Sequence, residues 1–219
     1  MFRQFCNFAV SERSDSNHID PGKIQMDILQ LSRLRQQTAH TLLSDTRVIS
    51  LWESIGGEVH TVGSLRTGLL MHRDIDLHIY TEEVSVAESF SVISSIACGP
   101  GWKEVHYKNL LDTEEECLEW HALYEDKDAE LWKLDMIHIR KGSKYDGVVE
   151  RVTAAIHRKL TPGLRRIILQ IKYDMPAEGN KIPGIEVYHA VFEGGVQSYD
   201  ELLSWREKNP LLHSLEWMP

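Results

Sequence analysis

VGSLRTGLLMHRDIDLHIY, residues 62–80, joins a Gly-Ser turn to a strand-like segment that carries two carboxylates. Because side chains alternate across a strand, Asp74 and Asp76 would share one face while Ile75 and Leu77 share the other. Two like charges this close repel each other, and keeping both ionised generally requires a cation between them. The stretch therefore predicts a cation-binding strand whose opposite face lies in the core.

A third carboxylate occurs in a later apolar segment of the same kind. In WKLDMIHI, residues 132–139, Asp135 lies between Leu134 and Met136 and alternates with Lys133 and Ile137. If this segment pairs beside the first, three carboxylates meet at one edge of a sheet. Such a cluster suits Mg²⁺, which takes oxygen ligands from a few carboxylates and completes its shell with substrate phosphates.

The Gly-Ser turn supplies the complementary half of the site. Gly63 and Ser64 would end a strand and begin a helix, where backbone N–H groups and a hydroxyl can hold a phosphate at close range. Nine residues separate Ser64 from Asp74. An anion cradle and a divalent-cation site on adjoining elements predict a nucleoside triphosphate site.

These residues together resemble the nucleotidyltransferases of the DNA polymerase β superfamily. Their signature is a Gly-Gly or Gly-Ser turn, about ten residues, a D-x-D or D-x-E strand and a third acidic strand. Gly68 fits a glycine common in small bacterial members, although Thr67 stands where those have arginine. HRDIDL, residues 72–77, is similar to the acidic strand of the lincosamide and aminoglycoside nucleotidyltransferases, which often carry a different turn before it.

The resemblance implies an α+β fold, with a polymerase-β-like core of mixed sheet and flanking helices and a helical C-terminal domain. It also implies two-metal nucleotidyl transfer. Asp74 and Asp76 would hold both Mg²⁺ ions, and Asp135 would hold the catalytic one and help to activate the attacking hydroxyl. Gly63 and Ser64 would grip the triphosphate. The expected donor is ATP, so AMP would be transferred and pyrophosphate released.

Four further residues are candidates for nucleotide binding. Arg66 and Arg73 could contact phosphates, because guanidinium groups suit that geometry, or could be surface charges that balance the acidic site. Lys172 and Tyr173 could reach the nucleotide if their helix closes over the site, or could lie on a solvated helix face. The same alternatives apply to a basic patch in the tail, formed by Arg158, Lys159, Arg165 and Arg166.

The acceptor is less determined than the reaction. A small molecule such as an antibiotic agrees with HRDIDL and with the net charge of −9, which disfavours nucleic acid held by a general basic field but leaves a local patch open. The second hypothesis is a protein or tRNA acceptor, as in toxin-antitoxin nucleotidyltransferases. The third is a nucleotide-binding protein that keeps the fold without turnover. The oligomeric state stays open.

Along the chain, the pattern predicts an N-terminal arm at 1–22, a nucleotidyltransferase core with N-terminal helices at 23–140 and a helical C-terminal domain at 141–219. Strands are expected at 58–62, 74–80, 103–107, 117–125 and 130–139, the last two as a hairpin across DKDA. No apolar run suits a membrane span or a signal peptide, so a cytoplasmic protein without membrane partners is expected. The three cysteines have no metal-binding or disulfide spacing.

Overall fold

The computed structural model describes residues 27–176, 182–209 and 217–219, and the predicted N-terminal arm lies outside them. Within these residues the chain forms five strands and eight α-helices. In chain order they are α1 Ile28–Asp45, α2 Val48–Glu53, β1 Glu58–Thr61, α3 Gly63–Thr67, β2 Asp74–Thr81, α4 Val86–Ala97, β3 Trp102–Asn109, β4 Cys117–Glu125, β5 Leu131–Arg140, α5 Val148–Lys159, α6 Pro162–Asp174, α7 Gly184–Gly194 and α8 Tyr199–Lys208.

The five strands form one mixed sheet in the order β1-β2-β5-β4-β3. β2 and β5 pair in parallel at its centre, and the other three pairs are antiparallel. All five strands lie within one or two residues of the predicted ranges, and β4 and β5 form the predicted hairpin. The expected α+β fold with a mixed sheet and flanking helices is confirmed.

One face of the sheet is packed against α2 and α4. Ile75, Leu77, Leu134 and Met136 of the two central strands are completely buried there, and Trp52 of α2 packs into the same cluster. α4 begins where the Ser85 hydroxyl accepts a hydrogen bond from the Glu88 amide, and its apolar residues recur at helical spacing. Because this face is apolar, alternation directs the acidic side chains of β2 and β5 to the opposite face.

Helices α5 to α8 surround a second apolar cluster. Leu69 and Met71, from the segment that follows α3, insert into it and join it to the sheet region. The helix α6 begins at Pro162, preceded by Thr161, whose hydroxyl accepts a hydrogen bond from the Leu164 amide. α1 contributes to both clusters, with Ile28 in the second and Leu42 in the first. The boundary near residue 140 stays a prediction.

Across the described ranges, no helix combines the length and the apolar content that crossing a membrane would require.

His138 lies in the apolar face, on the other side of β5 from Asp135, as alternation predicts. Its Nε2 is 2.8 Å from the Thr81 hydroxyl, its Nδ1 is 3.3 Å from the Ser89 hydroxyl, and the Trp52 ring meets it edge-on. Burial lowers the pKa of His138 to about 4. The imidazole is therefore neutral in the folded protein at neutral pH.

This burial predicts a specific acid sensitivity. In the unfolded chain His138 has an ordinary pKa near 6.5, so its burial in the neutral form costs no stability above about pH 6.5. The free energy of unfolding then falls as the pH is lowered from 6.5 towards 4, because the unfolded chain takes up a proton that the folded chain does not. By pH 5 the loss should reach about 2 kcal/mol. In His138→Asn, this loss disappears. The native protein should therefore lose about that much more free energy of unfolding than the variant between pH 7 and pH 5, as measured by urea unfolding. An equal loss in the two proteins would contradict a neutral buried histidine.

Candidate active site

The parallel pairing of β2 and β5 brings the three predicted carboxylates together. Asp76 and Asp135 are register partners on neighbouring strands, and Asp74 lies one pleat before Asp76. One ligand oxygen from each residue can be chosen so that all three lie within 4.8 Å of one another. Asp135 is buried, and the other two are partly buried. The arrangement offers oxygen ligands converging from two strands, as a divalent cation requires.

The electrostatics of this cluster also fit a cation. Burial raises the pKa of Asp76 well above its usual range, and the charges of Asp74 and Asp135 raise it further. Lys133 and Lys172 act in the opposite direction without cancelling the effect. The three carboxylates therefore lack enough neighbouring positive charge to be stably ionised together, and a bound divalent cation would supply it.

Asp135 is held by polar groups from its own strand and from the neighbouring one. Lys133 Nζ donates to its Oδ2 at 2.6 Å, and His121 Nδ1 lies 2.6 Å from its Oδ1. Burial alone would raise the pKa of Asp135, but the hydrogen bond with His121 and the charge of Lys133 outweigh it and lower that pKa. Burial likewise opposes protonation of His121, yet its contacts with Asp135 and Glu119 raise the pKa of His121 to about 9. These contacts fix the orientation of the Asp135 carboxylate and keep it ionised.

Gly63 lies directly against the carboxylates. Its φ is +60°, and a Cβ atom there would collide with Oδ2 of Asp76. Ser64 follows it in α3, partly buried. The short helix is anchored by buried Leu65 and ends at Gly68 in the left-handed conformation. Glycine at position 63 is thus required by the close approach of the turn to Asp76, as well as by its backbone conformation.

Of the two α6 candidates, Lys172 faces the site and Tyr173 does not. Lys172 is buried, its Nζ donates to the backbone oxygen of Leu69 at 2.9 Å, and its charge lowers the pKa of Asp76. The Tyr188 ring of α7 lies beside it, with the ring centroid 5.8 Å from Nζ. Tyr173 is 48% exposed on the outer side of the helix. The nucleotide contact expected of Tyr173 gains no support from this orientation.

The two arginine candidates lie in different surroundings. Arg73 forms an ion pair with Glu130 at 2.8 Å, beside the hairpin turn. Arg66 is exposed on α3 and lines a cavity on the flank of that helix. Two residues of the basic patch in the tail are ion-paired, Arg166 with Asp27 and Lys159 with Glu193.

The solved structures that share this architecture include two complexes of GLD-2. The non-canonical poly(A) polymerase complex GLD-2–GLD-3 matches with a TM-score of 0.54 and 11% identity over 88% of this chain and 70% of the other. The GLD-2/RNP-8 complex matches with a TM-score of 0.51 and 10% identity over 85% and 73%. This chain has the polymerase-β-like nucleotidyltransferase fold. A looser likeness, with a TM-score of 0.45 and 15% identity over 63% and 40%, is to the Cid1 poly(U) polymerase.

At the level of sequence, no protein-family model matches the chain, and no curated protein matches it either. Neither GLD-2 complex contains an antibiotic-modifying enzyme by name, so the structural likeness gives no support to the antibiotic-type subfamily that HRDIDL suggested.

Two residues in contact with the carboxylate cluster were not predicted. Lys133 could have been found from the sequence, because it lies two residues before Asp135 and so shares its strand face. His121 depends on the hairpin register. The predicted four-residue turn would place His121 opposite Leu134, whereas the actual pairing of Glu125 with Leu131 places His121 opposite Asp135.

Replacing Gly63 tests the close approach to Asp76. In Gly63→Ala, the new methyl group must displace the Asp76 carboxylate, so affinity for Mn²⁺ or Mg²⁺ measured by calorimetry should fall by about tenfold or more. Gly195→Ala is the matched control, because Gly195 has a φ of +64° and nothing within 4 Å of its Cβ position.

Both alanine variants should lose about 1–2 kcal/mol of stability from the left-handed backbone. Only the variant at position 63 should lose metal affinity. Equal metal affinity in the two variants would show that the turn does not constrain the carboxylates.

Proposed function

We propose that this chain is an Mg²⁺-dependent nucleotidyltransferase that transfers AMP from ATP to a hydroxyl at the end of an RNA strand and releases pyrophosphate. The observation that carries the proposal is the convergence of Asp74, Asp76 and Asp135 from adjacent parallel strands to within 4.8 Å. The polymerase-β-like fold around these residues supports it.

The three carboxylates fit the metal that this chemistry uses. They provide hard oxygen ligands, and the raised pKa of Asp76 reflects a shortage of positive charge at the point where they meet. Asp74 and Asp76 would be shared by two Mg²⁺ ions, with Asp135 completing one of the two coordination shells. When bound, the ions would neutralise the triphosphate and lower the pKa of the attacking hydroxyl.

In the transfer, the acceptor oxygen forms a bond to the α-phosphorus of ATP while the bond from that phosphorus to the bridging oxygen of the β-phosphate breaks. Pyrophosphate leaves with that electron pair, and the hydroxyl proton passes to a carboxylate oxygen of Asp135. His121 and Lys133 orient this carboxylate through the two hydrogen bonds of 2.6 Å.

The remaining contacts concern the triphosphate. The Gly63 turn approaches Asp76 so closely that a phosphate shared with the metal ions would also reach the Gly63 and Ser64 backbone. Lys172 brings a buried ammonium group near Asp76 from α6. We assign these three residues to triphosphate binding.

The choice of RNA and AMP is supported by the likeness to GLD-2, which is a poly(A) polymerase. Among the hypotheses that the sequence leaves open, this proposal is most similar to a nucleotidyltransferase that acts on tRNA. A small-molecule acceptor, a protein acceptor and nucleotide binding without turnover become outcomes of the test. The complete carboxylate triad favours turnover over binding alone.

Asp74→Asn should lower Mg²⁺-dependent pyrophosphate release from ATP and RNA by roughly a thousandfold or more, because it removes a shared metal ligand. Asp112→Asn, at an exposed position in the β3–β4 connection, carries the same change in charge and should stay within about twofold of the native rate. Mass spectrometry of the RNA should show added AMP.

Equal activity in the two aspartate variants would refute the metal site. Pyrophosphate release with an aminoglycoside, lincosamide or protein but not with RNA would retain the reaction and reject the acceptor. ATP binding without turnover on any of these acceptors would indicate a binding protein.

A further inference from the structure

A polar cavity of about 340 Å³ lies at the C-terminal end of α3, between α1, α5, α6 and β1. Four basic or titratable side chains line it: Arg66, Arg165, His40 and His157. None of its lining residues is an aspartate or glutamate. In a chain with a net charge of −9, a cavity lined by two arginines and by no carboxylate indicates an anionic ligand.

The two arginines of the cavity differ in their partners from four other arginines of the structure. Arg73, Arg140, Arg166 and Arg206 each lie within ion-pair distance of a carboxylate. Within the part of the chain that the structure describes, neither Arg66 nor Arg165 forms such a pair. Their positive charge is therefore available to a ligand that enters the cavity.

Arg165 is also fixed in place. Its Nη1 donates to the backbone oxygens of Gly68 at 2.5 Å and Thr67 at 3.3 Å, which holds the guanidinium against the end of α3. Gln36 donates to the same Gly68 oxygen at 3.3 Å. Burial lowers the pKa of Arg165, because the group has lost water without gaining an acidic partner. A held, partly desolvated guanidinium with no counter-charge is well suited to a phosphate.

We propose that this cavity binds a backbone phosphate of the single-stranded RNA acceptor. This inference rests on the proposed function for its RNA acceptor. The helix α3 connects the cavity directly to Gly63 and is about 7.5 Å long, so a strand whose end lies at the carboxylates is near enough to place a phosphate here. The volume falls in the range of small-ligand pockets and accommodates a phosphate with part of its nucleotide.

The test is RNA affinity without catalysis. Fluorescence anisotropy with a 5′-labelled 15-nucleotide oligoadenylate, in EDTA and without ATP, would compare the native chain with Arg66→Gln and His157→Gln. Arg158→Gln is the control for Arg66→Gln, because it is exposed on α5 beside His157, removes the same charge and does not line the cavity.

We expect the dissociation constant to rise about tenfold in Arg66→Gln and severalfold in His157→Gln, and to change less than twofold in Arg158→Gln. The slope of log K against log salt should fall by about 0.7 in Arg66→Gln, as loss of one phosphate contact to a single strand requires. Calorimetry with inorganic phosphate and with pyrophosphate, on the same variants, separates a free anion from RNA.

Native affinity for RNA in Arg66→Gln would overturn the proposal, as would an effect on phosphate or pyrophosphate alone. So would the absence of RNA binding by the native chain. If RNA binding depends on Arg66 but no AMP is transferred in the presence of Mg²⁺ and ATP, the cavity assignment stands and the proposed reaction fails.

Discussion

Repulsion among three carboxylates is the constraint on which the rest of this structure depends. At about 5 Å and an effective dielectric constant of 20, each like-charged pair costs about 3 kcal/mol. This unfavourable energy is offset by hydrophobic burial on the other face of the same two strands. The completely buried side chains there are Ile75, Leu77, Leu134 and Met136. Each such side chain contributes about 2 kcal/mol on burial. The apolar face therefore holds the acidic face together, and strand alternation makes the two inseparable.

The cations around the carboxylates reach them from three directions. Lys133 shares the strand of Asp135, His121 comes from the neighbouring strand of the hairpin, and Lys172 comes from α6. Lys172 also donates to the backbone of Leu69, which inserts into the helical cluster. The helical part of the chain is thereby connected to the electrostatics of the sheet. These contacts orient the carboxylates but leave the pKa of Asp76 raised, so a role remains for divalent cations.

The residues that sequence reasoning placed well are those governed by local periodicity. Alternation gave the faces of β2 and β5 and put His138 opposite Asp135, and the parallel pairing then brought the carboxylates together. Residues governed by the geometry between elements were placed less well. His121 required a hairpin register that differs by one residue from the predicted one. Lys172 and Tyr173 are neighbours on α6, and only the packing angle of that helix decides that the first faces inward.

The acceptor illustrates a different limit. HRDIDL places two carboxylates where metal ions would bind. The proposed reaction needs those ions whichever hydroxyl is attacked. A short motif at the metal therefore carries little information about the acceptor, which must be recognised elsewhere on the protein. The place that we propose is the cavity lined by Arg66 and Arg165, which is formed by residues of α1, α3, α5, α6 and β1 and so is not evident from the sequence.

The most direct test of the central claim is a crystal structure with Mn²⁺ and a non-hydrolysable ATP analogue, with the metal located by its anomalous scattering. The account predicts two peaks about 3.5–4 Å apart, both within about 2 Å of oxygens of Asp74 and Asp76, and one of them within that distance of Asp135. Manganese bound elsewhere on the analogue, with these three carboxylates free of metal, would contradict it.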